Sequence, residues 1–530
     1  MNIIEVVKKR ILKMLGIEKL NEAPNSERLT FIQNEENVIY QKLQECKTWY
    51  VGNSDELLNY YTNEQLYGDA REPIYNRNRK NYFWGISATE GSIKRVHSGI
   101  PNAIVSTLVN AIGDAKIFSN DEETNAMIEK IKKANDLTHI LNQQQMPLTL
   151  VEGWGAFKVS FNKELSNSPI IQYYEGQNVE FVYSFGILVG IIYKDYYKYN
   201  DNDYVLLETR RIKSGNSVIE YQLYKMETSG DVFEVPLETI PELASLENIE
   251  IPNLKKVLGV PSKFFYDVLN KEYGRSIYDG KIDLFDALDE DLSQCSQTVR
   301  VSTPVEYYPV DLLERQQNGL PKMPQVYNRQ YIKKEGMPNG DGESDGAIQT
   351  TQPDLHFDSY SENAKAILDF ILTGVLSPAT MGIDIAKKDN ADAQREKEKI
   401  TIMTRNNIID RQEKILKDLM ELCIIIQEYL DTGTISLKDY DISITFNEFA
   451  NPSFENEIQV LGSAFSNGQI STERYVDILW GDKLSEDEKN KEIDYLEKNK
   501  QMDNLEIGDF EDEKPIIDNR QEEKTDYIQS

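Results

Sequence analysis

The longest periodic stretch in the chain runs from Ala391 to Leu430. Its apolar residues, Ile400, Met403, Ile408, Ile415, Leu419, Leu422, Cys423, Ile426 and Leu430, fall mostly three, four or seven apart. That repeat places them on one face of an α-helix. At 3.6 residues per turn this is about ten turns, well beyond the roughly 10–14 residues of an ordinary helix. A strut of that length spans something, and it constrains everything packed around it. Just upstream, Ser361–Leu372 reads as a short amphipathic helix with serine at its start. Between the two lies a break, Gly374 to Asn390, where Gly374, Pro378, Gly382 and Asp389–Asn390 end the helical pattern. The spacing therefore predicts a helix–break–helix unit with an exposed loop at the head of the strut.

At 530 residues the chain is too long for one hydrophobic core and should divide into two to four domains. Its 40% hydrophobic content, 10% aromatic content and 30 tyrosines supply ample packing material, so disorder throughout is excluded. The net charge of -31 argues against a nucleic-acid coat, because such proteins neutralise phosphates with excess Lys and Arg. It leaves room for a protein that lets DNA pass without gripping it. Cys46, Cys295 and Cys423 are far apart and form no CxxC pair, which suits a reduced, disulfide-free, intracellular protein. His97, His139 and His356 share no ligand spacing, so no metal site is expected. No run approaches the apolar length of a membrane span. The basic amphipathic segment Ile3–Leu15 lacks an apolar h-region and a cleavage site. It is expected to be a helix docking on protein, with membrane-surface binding as the alternative.

Helical patterns come first: Val38–Tyr50, a second helix capped from Ser54, Ile100–Ile112 ending at Gly113, and Glu122–Leu141. Beyond Pro147 the period changes to two. Trp154–Phe161 alternates as a half-buried strand, followed by Ile170–Tyr174, Val179–Tyr183, Ile187–Tyr193, Tyr204–Arg211 and Val218–Tyr224. Turn signals at Ser214–Asn216 and Ser229–Asp231 make these an antiparallel meander, so the first half is α+β. Asp279–Val301 returns to helix. A Pro/Gly/Asn/Asp-rich stretch, Thr303–Asp358, follows, with the strand-like Val305–Tyr308 and a flexible tip at Asn339–Gly346. Asp441–Phe446 is a strand, charged helices run to about Lys500, and Asp503–Asp526 carries the composition of a disordered acidic tail.

Enzyme signatures are not found. Gly274–Ile282 approaches a phosphate-binding loop, but it has one residue too many between its glycines and Ile282 where a hydroxyl is required, so a turn before a helix is the reading. Neither HExxH nor GxSxG occurs. Asp283, Asp286, Asp289, Glu290 and Asp291 read as the solvated face of one helix, with a negative ring or a metal site as alternatives. Lys387 and Lys388 could meet phosphates, although for two lysines alone a plain solvated loop is the favoured reading. Trp49 and Trp84 read as core aromatics rather than a base-stacking platform.

The order of elements resembles the portal proteins of tailed bacteriophages, in particular the family found in phages of Gram-positive bacteria. The matching features are Trp49–Gly52 with Tyr60–Tyr61, the Asn102–Val105 helix, Gly153–Phe157, Leu376–Gly382 leading to Ala391–Lys399 and the long helix, and Phe446–Pro452 before Gly468–Tyr475. The likeness covers roughly residues 30 to 500. It implies an α+β portal fold with wing, helical stem, small α/β clip, long wing-spanning helix and helical crown, in a ring-forming subunit.

In those terms residues 1–24 are the basic N-terminal segment, 25–278 the wing, 279–302 and 359–376 the two stem helices, and 303–358 the clip. Residues 377–390 are the tunnel loop, 391–452 the long wing helix and a strand, 453–502 the crown, and 503–530 the tail. The resemblance further implies a ring, generally of twelve subunits, at one capsid vertex of the virion, assembled in the host cytoplasm. Double-stranded DNA is driven through it by the terminase and later ejected. The implied partners are other copies of the chain, DNA held non-specifically, the terminase large subunit, the major capsid protein and scaffold, and head-completion or adaptor proteins, with no membrane. No enzymatic activity, cofactor or metal is implied. Ser377, Thr380, Asp384, Lys387, Lys388 and Asn390 are the candidate DNA-facing loop residues. Asn339, Asp341, Glu343 and Asp345 are the candidate clip docking surface. Another virion or scaffold component, and less readily a metal-dependent packaging nuclease, are the competing readings.

Overall fold

The computed structural model describes residues 38–62, 82–85, 93–163, 165–226, 232–268, 271–302, 304–309, 317, 319, 330–334, 349–351, 357–383, 391–435, 438, 440–446, 461–480 and 489–498. The N-terminal amphipathic segment, the acidic tail and the Asn339–Gly346 tip lie outside these residues. The chain forms two compact units, Met1–Phe449 and Ala450–Ser530.

The first unit opens with α1 (Val38–Val51), α2 (Ser54–Thr62) and α3 (Ile100–Ile112). The α2 cap is one residue earlier than the sequence suggests: Asn53 Oδ1 accepts the Asp55 N–H at 3.0 Å. As the spacing indicates, Gly113 closes α3, at φ 72° with its N–H donating to Val109 O. β1 (Ala115–Phe118) and α4 (Glu122–Asn135) follow. The helix expected to run on to Leu141 breaks at Asp136, which adopts a left-handed φ of 47°. A π-helical turn over Ile140–Gln145 then leads into α5 (Met146–Glu152), which carries Pro147 in its first turn. Proline is tolerated there because the first-turn N–H groups have no helical partner. The change of period therefore falls at Gly153, not at Pro147.

Two antiparallel sheets follow. In the smaller, β2 (Trp154–Ser160) lies between β3 (Ile170–Glu175) and β10 (Gly259–Lys263). β2 is buried on both faces rather than one. Phe157 and Val159 enter the main core, while Trp154 and Ala156 enter a second one shared with the larger sheet. A central strand covered on both sides cannot show the half-buried character that simple alternation suggests.

The larger sheet runs β4 (Val179–Ser184), β5 (Ile187–Tyr199), β6 (Asn202–Lys213), β7 (Asn216–Met226), β8 (Val232–Val235), with β9 (Ile249–Ile251) also on β7. Its first three hairpins pair Ser184 with Ile187, Tyr199 with Asn202 and Lys213 with Asn216. Each therefore has a two-residue connection, and both residues of each are at positive φ: Phe185–Gly186, Asn200–Asp201 and Ser214–Gly215. This is the turn whose twist matches that of the flanking strands. The Ser229–Asp231 signal lies outside the described residues.

The two sheets are joined by a buried ionic network. Glu208 on β6 accepts from Lys158 Nζ on β2 at 3.0 Å and from Arg210 at 2.6 Å, and Arg210 Nη1 reaches Leu258 O at 2.7 Å. Burial alone would raise the Glu208 carboxyl, but Arg210 and Lys158 outweigh it and hold it below the ordinary value.

α6 (Ile282–Val301) and α7 (Phe357–Leu372) flank a three-stranded sheet of β11 (Val305–Pro309), β12 (Gln330–Lys334) and β13 (Gln349–Thr351). β11 pairs parallel with β12 and antiparallel with β13. α6 begins three residues later than the apolar pattern suggests, because Gly280 at φ 76° turns the chain before it. Gly274 serves close packing, not phosphate binding: a Cβ there would lie 2.0 Å from Gly153 O.

The strut is α8 (Ala391–Thr432), 42 residues long. Its later half, from Ile408 to Ile426, is buried in the main core. Ile400 and Met403, read from spacing as part of the same apolar face, are 45% and 61% exposed. On this stretch the buried side of the helix is polar instead, with Glu398, Thr401, Thr404 and Arg405 turned inward, so the apolar repeat does not mark the packed face. β14 (Ser443–Phe446) returns to pair antiparallel with β1. Sequence patterning gives no hint of this pairing, because β1 has only four residues.

The second unit is helical over residues 461–466 and 489–498 and in α9 (Thr472–Trp480). Phe465 stacks on Tyr475 at 4.7 Å between ring centroids, and Val476 is fully buried. Ser471 accepts the Arg474 N–H at 3.3 Å as an N-cap.

Candidate functional site

The helix–break–helix unit and the helix paired with it form the candidate site. α6 and α7 run antiparallel, and three polar rungs fix their register. Lys281 Nζ donates to Ile371 O at 2.6 Å and Thr373 O at 3.1 Å, Asn363 Nδ2 donates to Asp291 Oδ1 at 2.7 Å, and the Thr298 and Tyr360 hydroxyls lie 3.2 Å apart. Between the rungs, Leu288 packs in the same core as Ile371, with Leu284, Leu292, Ala364, Ile367 and Leu368 against it. Lys281 caps the carbonyl end of α7, where a cation is favoured by the helix dipole. Burial and then the nearby Arg275 depress its ammonium pKa.

The acidic run on α6 is solvated at Asp283 and half-buried at Glu290, but Asp286, Asp289 and Asp291 are buried. Asp286 and Asp289 hold Phe83, Trp84, His97 and Ser98 against the helix. Asp286 accepts the N–H groups of Phe83 at 2.9 Å and Trp84 at 3.3 Å. Asp289 accepts from Trp84 Nε1 at 3.1 Å and Ser98 N at 2.8 Å, and pairs with His97 Nδ1 at 2.7 Å. Tyr82 OH donates to Asp283, and Val96 N donates to Ser293 Oγ at 2.9 Å. The carboxylates satisfy backbone donors that no strand partner serves, which is why they tolerate burial. Burial pushes Asp286 up to about 6, against the two N–H groups that favour its charged form. Trp49 and Trp84 are core aromatics, as the sequence suggests.

The outward surface of the pair is weakly acidic. Of its exposed charged side chains, Asp283, Asp358, Glu362 and Asp369 are negative and Arg300 and Lys365 positive.

Beyond α7 the chain folds back on α8. Gly374 adopts φ 76°, Leu376 N donates to Leu372 O at 3.1 Å, and Ile383 N donates to Pro378 O at 3.1 Å. Thr401 on α8 anchors this stack, accepting from Ser377 N at 2.9 Å and lying 2.9 Å from the Thr380 hydroxyl. α8 is itself held by Arg405 Nε donating to Ala111 O at 2.7 Å and by the reciprocal Gln145–Gln412 amide pair at 2.8 and 2.9 Å.

Among the candidate loop residues, Ser377 is buried and its hydroxyl accepts the Ala379 N–H at 3.3 Å, which places it in the loop's base. Thr380 is half-buried against Thr401. Asp384, Lys387, Lys388 and Asn390 lie outside the described residues, as do Asn339, Asp341, Glu343 and Asp345 of the candidate docking surface. Sequence reasoning missed Lys281, Thr401, Asp286 and Asp289 as positioning residues, since nothing local marks a charged side chain that satisfies a distant backbone.

Among the described residues no cluster of His, Cys, Asp and Glu could hold a metal ion, and no helix is long and apolar enough to cross a membrane. No protein-family model matches the chain, and no curated protein matches it. A solved structure described as "Neck of empty GTA particle computed with C6 symmetry" is similar over 78% of this chain and 96% of its own, at 11% identity and a TM-score of 0.36. Likeness at that level carries no weight for fold or function.

Proposed function

We propose that this chain is a portal subunit, a non-enzymatic component of a ring at one capsid vertex whose channel conducts double-stranded DNA. The observation that supports this most is the order, among the described residues, of α6, a three-stranded sheet, α7, a turn stack and the 42-residue α8. In this reading α6 and α7 are the stem, the sheet between them the clip, and the residues after the Ser377–Ile383 stack the tunnel loop. Residues 38–268 with α8 supply the wing, and 461–498 the crown.

The chemistry agrees with that role. A channel that passes DNA must avoid deep binding wells, and many Lys and Arg contacts would create them by releasing counterions. An acidic chain repels phosphate, and a few loop lysines touch the backbone without reading sequence. The energy source belongs to a partner, the terminase. The remaining partners are further copies of this chain, the major capsid protein and scaffold, and head-completion proteins, all within the virion. Negative-stain microscopy of the purified chain tests the reading. Rings with a hole wide enough for a DNA duplex are expected, and monomers under every assembly condition contradict it.

A further inference from the structure

The ionic network between the two sheets holds one lysine between two carboxylates. Lys158 on β2 is 8% exposed, with its Nζ 3.0 Å from Glu208 Oε2 on β6 and 3.9 Å from Asp195 Oδ2 on β5. The Tyr174 hydroxyl on β3 bridges the same groups, accepting from Lys158 Nζ at 2.7 Å and donating to Asp195 Oδ1 at 2.9 Å. Aromatic rings close around the ammonium, Tyr174 at 4.5 Å and Tyr193 at 5.7 Å. Lys42–Asp279 and Lys256–Glu421 are closer pairs, at 2.7 Å, but their lysines are 35% and 39% exposed and stay solvated. Glu208 already neutralises Lys158, so the Asp195 carboxyl and its Tyr174 bridge are surplus to a plain ion pair.

Each group is set for condensation of the amine with the carboxyl. Burial raises the Asp195 carboxyl above its ordinary value, against the opposing pull of Lys158 and the Tyr174 hydroxyl. It therefore takes up a proton more readily and sheds the negative charge that blocks attack by an amine. Glu208 is held ionised by Arg210 and Lys158 although burial acts to raise it, which leaves an anionic proton acceptor in contact with Nζ. Asp195 is 29% exposed, so expelled water has a way out. Reacting groups held in contact reach effective concentrations of about 10⁵ M or more, which favours the amide over its hydrolysis.

We propose that Lys158 and Asp195 condense spontaneously into an intramolecular isopeptide bond, joining β2 of the smaller sheet to β5 of the larger. Lys158 Nζ attacks Asp195 Cγ; the Nζ–Cγ bond forms and one Cγ–Oδ bond breaks. Of the three protons on Nζ, one stays in the amide and two leave with the Asp195 oxygen as water. The Tyr174 hydroxyl is their route, because it accepts from Nζ and donates to Asp195. Glu208 takes the first proton as the amine becomes nucleophilic and returns it to the departing oxygen, ending ionised as it began. No oxidant, metal or cofactor enters the balance. The bond turns a contact between two sheets into a covalent cross-link, which restricts the unfolded chain as a disulfide does. It is independent of the portal reading.

The test is tandem mass spectrometry of a protease digest of the folded full-length chain. The expected product is a branched peptide that carries Lys158 and Asp195 and weighs one water less than its two parts together. Lys158→Arg and Asp195→Ala should each remove it and return the intact chain to its full sequence mass. Tyr174→Phe should lower the cross-linked fraction in a time course after refolding, which a purely structural hydroxyl would not do. Recovery of the two peptides only as separate linear species overturns the proposal, whatever the variants do. So does a loss of water that maps to any other residue pair, or to a cyclised aspartate.

Discussion

Trp84 donates its indole N–H to the buried carboxylate of Asp289 at 3.1 Å, across 205 residues of sequence. The same carboxylate serves Ser98 N and His97 Nδ1, so a single side chain ties Trp84, His97 and Ser98 to α6. Replacing Asp289 with Ala leaves two N–H donors and a histidine ring without their acceptor. Each such loss costs about 1–3 kcal/mol, so Asp289→Ala should lower stability by about 3 kcal/mol or more. A denaturant titration followed by tryptophan emission checks this, and an unchanged midpoint would contradict the tie.

Two glycines near the start of α6 should behave differently. Gly274→Ala places a Cβ 2.0 Å from the backbone oxygen of Gly153, and a clash with backbone cannot be relieved by a side-chain rotation. Little folded protein is expected. Gly280 meets nothing within 4 Å but sits at φ 76°, so Gly280→Ala should cost only the left-handed backbone term of about 1–2 kcal/mol. Soluble yield and melting temperature of the two variants separate the cases.

Glu152 gives a pH dependence of defined sign. Burial, then the neighbouring Glu175, pushes its carboxyl from the ordinary 4.5 up to about 8. Between those values the folded chain keeps a proton that the unfolded chain has released. Stability from this group is therefore full below about pH 4.5 and is lost as pH rises toward 8. Glu152→Gln keeps an acceptor for the Gly176 N–H, now donated to Glu152 Oε2 at 2.6 Å, and removes the ionisable group. Melting curves of the variant should decline less between pH 6 and 8 than those of the wild type. Parallel declines would contradict the assignment.

Lys387 and Lys388 follow the anchored stack at Thr401. Replacing both with Ala should change DNA packaging or retention while ring assembly proceeds. Unaltered packaging removes the pair from the functional residues.

How much was legible in the sequence varies by element. α3, α7 and α8 announce themselves because apolar periodicity and glycine or proline punctuation coincide there, and the hairpin at Ser214–Gly215 carries its own turn chemistry. The β1–β14 pair does not, since four residues on each side are recognisable only once they meet. The acidic run on α6 misleads because charge patterning cannot tell a solvated carboxylate from one that satisfies buried N–H groups of a distant segment. Ile400 and Met403 mislead in the opposite sense, as apolar residues beside a stretch whose buried face is the polar set Glu398, Thr401, Thr404 and Arg405. Of the candidate loop, the sequence points to the break itself. It does not reveal that Ser377 and Thr380 are used to hold the base, because that role depends on Thr401 across the fold.

In the portal reading proposed above, α6 and α7 line a channel. A cryo-electron microscopy map of the assembled full-length chain measures this directly. A closed ring is expected in which these two helices surround the central hole and the loop between Ile383 and Ala391 faces it. A ring whose hole is lined by the β4–β8 sheet instead, with α6 and α7 at the periphery, would contradict it.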